Sequence, residues 1–113
     1  MKYMLLIYSN EEGWKNLTEA DEDALNRAHQ KLLAELNASG EMILSNELST
    51  TDAKVVRRGE DRLLVVDGPF TEAKEFVGGF YIVDVESIER AVDIAGSLEE
   101  TAFAEVEIRA LMH

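Results

Sequence analysis

Two stretches carry apolar residues at consecutive rather than alternate positions: KYMLLIY, Lys2–Tyr8, and FYIVDV, Phe80–Val85. Side chains point to opposite faces along a strand. Tyr3, Leu5 and Ile7 therefore share one face of the first stretch, and Met4, Leu6 and Tyr8 the other. In the second, Phe80 and Ile82 oppose Tyr81 and Val83. Strands that are apolar on both faces need cover on both. An antiparallel sheet with one face left to water does not satisfy this sequence.

The segments between supply one layer of cover. Thr18 opens a helix, with Asp21 at capping-box spacing and Glu19, Asp21, Glu22 and Asp23 suited to the positive end of the helix dipole. Leu25, Ala28, Leu32 and Leu36 recur at helical spacing, and Ser39-Gly40 ends the element. SNEEGWKN before it reads as a loop, and EMILSNEL, Glu41–Leu48, as a strand. Val55 and Val56 form one arm of a hairpin and Leu63–Val66 the other, turning at Arg58-Gly59-Glu60-Asp61. Asp84 or Ser87 caps a second helix with Ile88, Ala91, Val92, Ala95 and Leu98 as its stripe and Gly96 inside it. Finally Ala104–Met112 alternates, with Ala104, Val106 and Ile108 inward and Glu105, Glu107 and Arg109 outward. Without the hairpin the order is β-α-β-β-α-β, the ferredoxin-like pattern of an α+β fold with two helices on one face of an antiparallel sheet. The other sheet face stays apolar, and pairing with a second copy in a two-fold homodimer is the simplest cover.

A chain of 113 residues is read as one domain, residues 1–113, large enough to bury a core without staples. It has no cysteine, so thiolate and disulfide chemistry are excluded. The N-terminal apolar run, Tyr3–Tyr8, is too short for a signal-peptide core or a membrane span, and the protein reads as cytoplasmic. A net charge of −12 disfavours nucleic acid and anionic membranes as partners, and otherwise serves solubility.

DGPF (Asp67–Phe70), followed by EAKE (Glu72–Glu75), GGFYIVDV (Gly78–Val85) and an N-terminal MKYMLLIY, resembles the DGPF group of YCII-related domains. The likeness runs over nearly the whole chain. It implies a ferredoxin-like domain that dimerises into an α+β barrel. It also implies a histidine–aspartate pair as the active-site candidate, and for some members an association with extracytoplasmic-function sigma factors. It names no substrate.

His29 lies in the apolar sector of the first helix and is either a satisfied core residue or an inward-facing acid/base. Its place is similar to that of the family histidine, so the resemblance favours the second reading. Asp67 ends a strand before Gly68-Pro69; it is either a turn aspartate bonded to backbone or the partner of His29. Phe70 falls in the core or over a pocket. Glu72, Lys74 and Glu75 are either a solvated segment or a substrate-binding group with Lys74 as an anion anchor. Tyr81 and Tyr8 pack in the core or place a hydroxyl in a cavity between facing sheets. Gly78-Gly79 suit a bulge at a strand start. Two histidines give no metal-ligand spacing, and there is no phosphate-binding glycine loop and no nucleophile elbow, so no cofactor is expected. Two functions stay open. One is an acid/base enzyme acting on a small polar metabolite with His29 and Asp67. The other is a non-catalytic ligand-binding or regulatory module, with sigma-factor-dependent transcription as its setting.

Overall fold

Thr18 caps the long helix reciprocally: its hydroxyl accepts from the Asp21 N–H, and the Asp21 carboxylate accepts from the Thr18 N–H. The computed structural model describes residues 1–68 and 75–113, and the backbone only of Glu11 and Trp14. The strands are β1 (Lys2–Ser9), β2 (Met42–Glu47), β3 (Lys54–Arg58), β4 (Leu63–Asp67), β5 (Phe76–Asp84) and β6 (Val106–Ala110). The helices are α1 (Glu11–Lys15), α2 (Glu19–Ser39) and α3 (Ile88–Gly96), with a 3₁₀ turn at Glu99–Ala102. The expected loop after β1 thus contains the short α1.

β2, β5, β1 and β6 form an antiparallel sheet in that order, while among the described residues β3 and β4 pair with each other in a separate two-stranded sheet. With the hairpin set aside, this is the ferredoxin-like arrangement. α2 and α3 cover one face, where Leu5, Leu36, Val83 and Ile94 are the largest fully buried side chains. On the opposite face Met4, Leu6, Tyr8, Phe80 and Ile82 are half-buried.

Gly40 ends α2 at φ 80°, with its N–H bonded back to α2 carbonyls. Only glycine adopts that left-handed conformation freely. The chain then enters β2 through Glu41, whose carboxylate takes two Arg90 N–H groups of α3, each at 2.9 Å, and the Ser39 hydroxyl at 2.8 Å. These bonds hold the Glu41 carboxyl down at about 2, with Arg90 the larger cause. Its ordinary value is 4.5, so the stabilisation is fully present above pH 4.5 and is lost as pH falls through about 2. Arg90 is 38% exposed, so solvent screening limits the pair to about 1 kcal/mol. A double-mutant cycle of Glu41→Gln and Arg90→Met is expected to give that coupling at pH 7 and almost none near pH 2. Urea unfolding at the two pH values measures it.

The α3 stripe differs from expectation. Ala91, Ile94 and Ala95 are buried, Leu98 continues their line, and Ile88 and Val92 are exposed. The small Ala91 and Ala95 let the helix sit close to the sheet, and the buried arc runs through Ile94. Ser87 is the cap, accepting from the Arg90 N–H, and Gly96 is the last helical residue rather than an interior one.

β5 starts earlier than expected, at Phe76, and Gly78 is its bulge: Ile7 pairs with Gly79 but Tyr8 with Val77. A Cβ on Gly78 would stand 3.2 Å from the Ser9 Cβ, and one on Gly79 3.2 Å from the Asn46 carbonyl oxygen. Close backbone approach explains both glycines.

The β3–β4 hairpin stands apart from the main sheet, and the radius of gyration is 15.9 Å where about 13 Å suits a sphere-like chain of this length. Val56, Leu63 and Val65 share one face of the arm and are more than half exposed. Among the described residues no helix is long and apolar enough to cross a membrane.

Candidate functional site

One face of α2 presents Glu22, the adjacent Leu25 and Asn26, His29 and Leu33, about one helical turn apart, to a cavity of about 560 Å³. The opposite wall is the bulged region of the sheet: Ser9 from β1, Ser45 from β2, and Gly78, Gly79 and Tyr81 from β5. Glu100 closes it from the 3₁₀ turn. That turn is fixed by its own backbone, with the Phe103 and Ala104 N–H groups donating to the Glu100 carbonyl at 3.1 and 2.8 Å.

His29 is held at both ring nitrogens. Nδ1 lies 2.5 Å from the Tyr81 hydroxyl and Nε2 lies 2.5 Å from Glu100 Oε2. The Tyr81 and His29 rings are 5.8 Å apart and tilted by 33°. Burial, with Glu100 a lesser cause, pushes the Tyr81 hydroxyl up to about 12. Tyr81 therefore keeps its proton at neutral pH and can donate it to Nδ1, and the Nε2 proton goes to Glu100. This chain of bonds selects the Nε2–H tautomer. His29 remains a quarter exposed while Tyr81 and Glu100 are buried, so the imidazole is the member of the trio nearest solvent.

The expected residues divide. His29 and Tyr81 meet on the cavity wall. Tyr81 does so on the helix-covered face, not between facing sheets; Tyr8, on the open face, bonds Glu107 instead. Asp67 is not brought to His29 within the chain: it sits in β4, opposite Lys54, and its exposed carboxylate takes the Lys54 ammonium. Glu100 holds the place expected for it. Glu75 is exposed and lines a separate depression with Tyr8, Glu105 and Glu107. Phe70, Glu72 and Lys74 lie outside the described residues, with the rest of the stretch 69–74.

Sequence reasoning missed Glu100. It follows α3 in a Leu-Glu-Glu run with no periodicity, and only the tertiary approach of the 3₁₀ turn to α2 reveals its partner. The sole hint is an acidic residue two positions past the last apolar residue of the α3 line.

The fold and cavity define a ferredoxin-like α+β domain with a pocket of mixed polar and apolar lining beneath its long helix. The chain belongs to the YCII-related domain family, which it matches over residues 1–112. It is similar to an uncharacterised protein of Rhizobium meliloti (strain 1021), 31% identical over 101 residues that cover 87% of this chain and 80% of that protein.

Proposed function

We propose that this domain binds a small polar metabolite in the His29 cavity and exchanges a proton with it through the Tyr81–His29–Glu100 trio. The observation that carries the reading is the imidazole fixed at both nitrogens on the wall of a 560 Å³ cavity. Partners at both nitrogens would satisfy a core histidine as well; what favours a site is that the ring stays a quarter exposed on the wall of a pocket of metabolite size. In the proton-accepting direction the Tyr81 oxygen takes a proton from the ligand as its own proton passes to Nδ1. The resulting imidazolium stays paired with Glu100. In the donating direction the same protons run back. Glu100 orients the ring, the role the family resemblance gave to an aspartate.

A second reading draws on the same geometry. Both nitrogens are already bonded, which suits a fixed polar wall in a non-catalytic ligand-binding or regulatory module; a sigma-factor partner would belong to that reading. One experiment addresses both. Small polar metabolites are screened for thermal stabilisation of the wild type and of His29→Ala. A ligand at a hundredfold excess over its Kd adds about 2.7 kcal/mol. The expected result is a hit whose stabilisation disappears in His29→Ala. A hit unchanged by that substitution would place binding elsewhere and defeat the proposal. Turnover of the hit, followed by product formation, then separates proton exchange from simple binding.

We further propose that the working unit is a homodimer joined through the open sheet face. The support is the apolar set Met4, Leu6, Phe80 and Ile82 opposite the helices, with Leu44 of β2 beside them and about half exposed.

A further inference from the structure

We propose that the ligand of the His29 cavity is a small amine, bound as its ammonium ion, rather than a carboxylate or phosphate; the inference rests on the cavity being the binding site. Two buried oxygens of residues on its wall have no partner among the described residues: Ser9 Oγ and Glu100 Oε1. Ser9 is 4% exposed and Glu100 9%. Native proteins satisfy nearly all such atoms, and a buried carboxylate oxygen without a donor is among the costliest to leave. Glu100 Oε2 is already committed to His29, which leaves Oε1 as a spare acceptor on a residue that lines the cavity. Ser9 Oγ accepts as well. A ligand carrying several hydrogen-bond donors suits two such acceptors, and an ammonium group supplies three with charge assistance.

The charges around the cavity point the same way. Glu22 and Glu47, both exposed, stand on its solvent side and Glu100 lies within it. Among the described residues that line it there is no lysine or arginine. Glu22 and His29 are seven residues apart on one helix face, about 10 Å along the axis. A small molecule spanning the cavity therefore has a carboxylate near each end. An anion would bring a further negative charge against three carboxylates in a partly desolvated site, which costs more there than in water. A cation is drawn in by the same field. The bulge at Gly78 contributes by keeping a side chain off Ser9, where a Cβ would stand 3.2 Å away.

A matched set of two-carbon probes tests the class: ethanolamine, ethylene glycol and glycolate, titrated at constant ionic strength while amide and imidazole resonances are followed. Ethanolamine is expected to shift Ser9, Gly78 and His29 saturably, with a Kd at least about tenfold lower than that of glycolate. Glu100→Gln should remove most of that preference, and Ser9→Ala, a smaller perturbation of the fold, should weaken ethanolamine severalfold. Glycolate binding as tightly as ethanolamine overturns the proposal. So does an ethanolamine titration that stays linear into the hundred-millimolar range, or a preference unchanged in both variants. The two proposals fail separately. A carboxylate ligand whose binding is lost in His29→Ala would sink the amine class and keep the site, whereas probe shifts insensitive to His29→Ala would remove the site itself.

Discussion

Ile94→Ala is expected to lower the unfolding free energy by about 3 kcal/mol, while Val92→Ala, two residues away, stays within about 0.5 kcal/mol of wild type. Ile94 is 2% exposed against the sheet and Val92 is 53% exposed. Truncating Ile94 removes three carbons from a packed core that collapses only partly around the gap. Truncating Val92 removes atoms already in water and replaces a β-branched residue by the best helix former. For a domain of this size the Ile94 loss corresponds to a fall in melting temperature of roughly 10–15 °C. Urea unfolding should show a lower midpoint with an unchanged slope. Equal effects at the two positions would mean that α3 is rotated toward the arc read from the sequence alone.

That pair of positions shows where sequence patterning stops. Ile88, Ala91, Val92, Ala95 and Leu98 form a valid helical stripe, and so do Ala91, Ile94, Ala95 and Leu98. A nine-residue helix is too short for periodicity to choose between arcs so close together; the sheet beneath chooses. The features that were legible are those written in local chemistry. Thr18 and Asp21 satisfy each other within four residues, Gly40 adopts its left-handed φ freely because it has no Cβ, and the Arg58–Asp61 turn sets the hairpin. The doubled apolar faces of Lys2–Tyr8 and Phe80–Val85 marked two strands needing cover on both sides, and the structure pairs them at the centre of the sheet as β1 and β5. The inward direction of His29 also followed from its sector on α2.

What did not follow is every contact made across the fold. His29 and Glu100 are 71 residues apart, and nothing between them in sequence couples a helix face to a 3₁₀ turn. Asp67 was the nearest carboxylate by family likeness. Strand register decides otherwise within the chain, because β3 sets Lys54 directly opposite it. Register is a property of a strand pair, so no single segment discloses it.

Ile82→Asp is expected to convert the proposed homodimer to a monomer, raising the dissociation constant by at least about a thousandfold, or some 4 kcal/mol. Ile82 is half-buried at the centre of the open sheet face, between Met4 of β1 and Leu44 of β2. In a two-fold interface each copy contributes the substituted position, so one change buries two unpaired carboxylates. A specific interface of ordinary size takes about 800 Å² from each partner, roughly a tenth of the 8162 Å² this chain exposes. In the single chain the new carboxylate points to solvent, so circular dichroism and the melting transition should show a folded domain whose only gross change is its mass. Sedimentation at micromolar concentration reads the outcome: a dimer for the wild type and a monomer for the variant. A monomeric wild type would overturn the dimer, and an unchanged dimer in the variant would move the interface off this face. The β3–β4 arm would then be the next surface to test, since an isolated two-stranded hairpin is marginal in water, and Val56, Leu63 and Val65 are more than half exposed on one side of it.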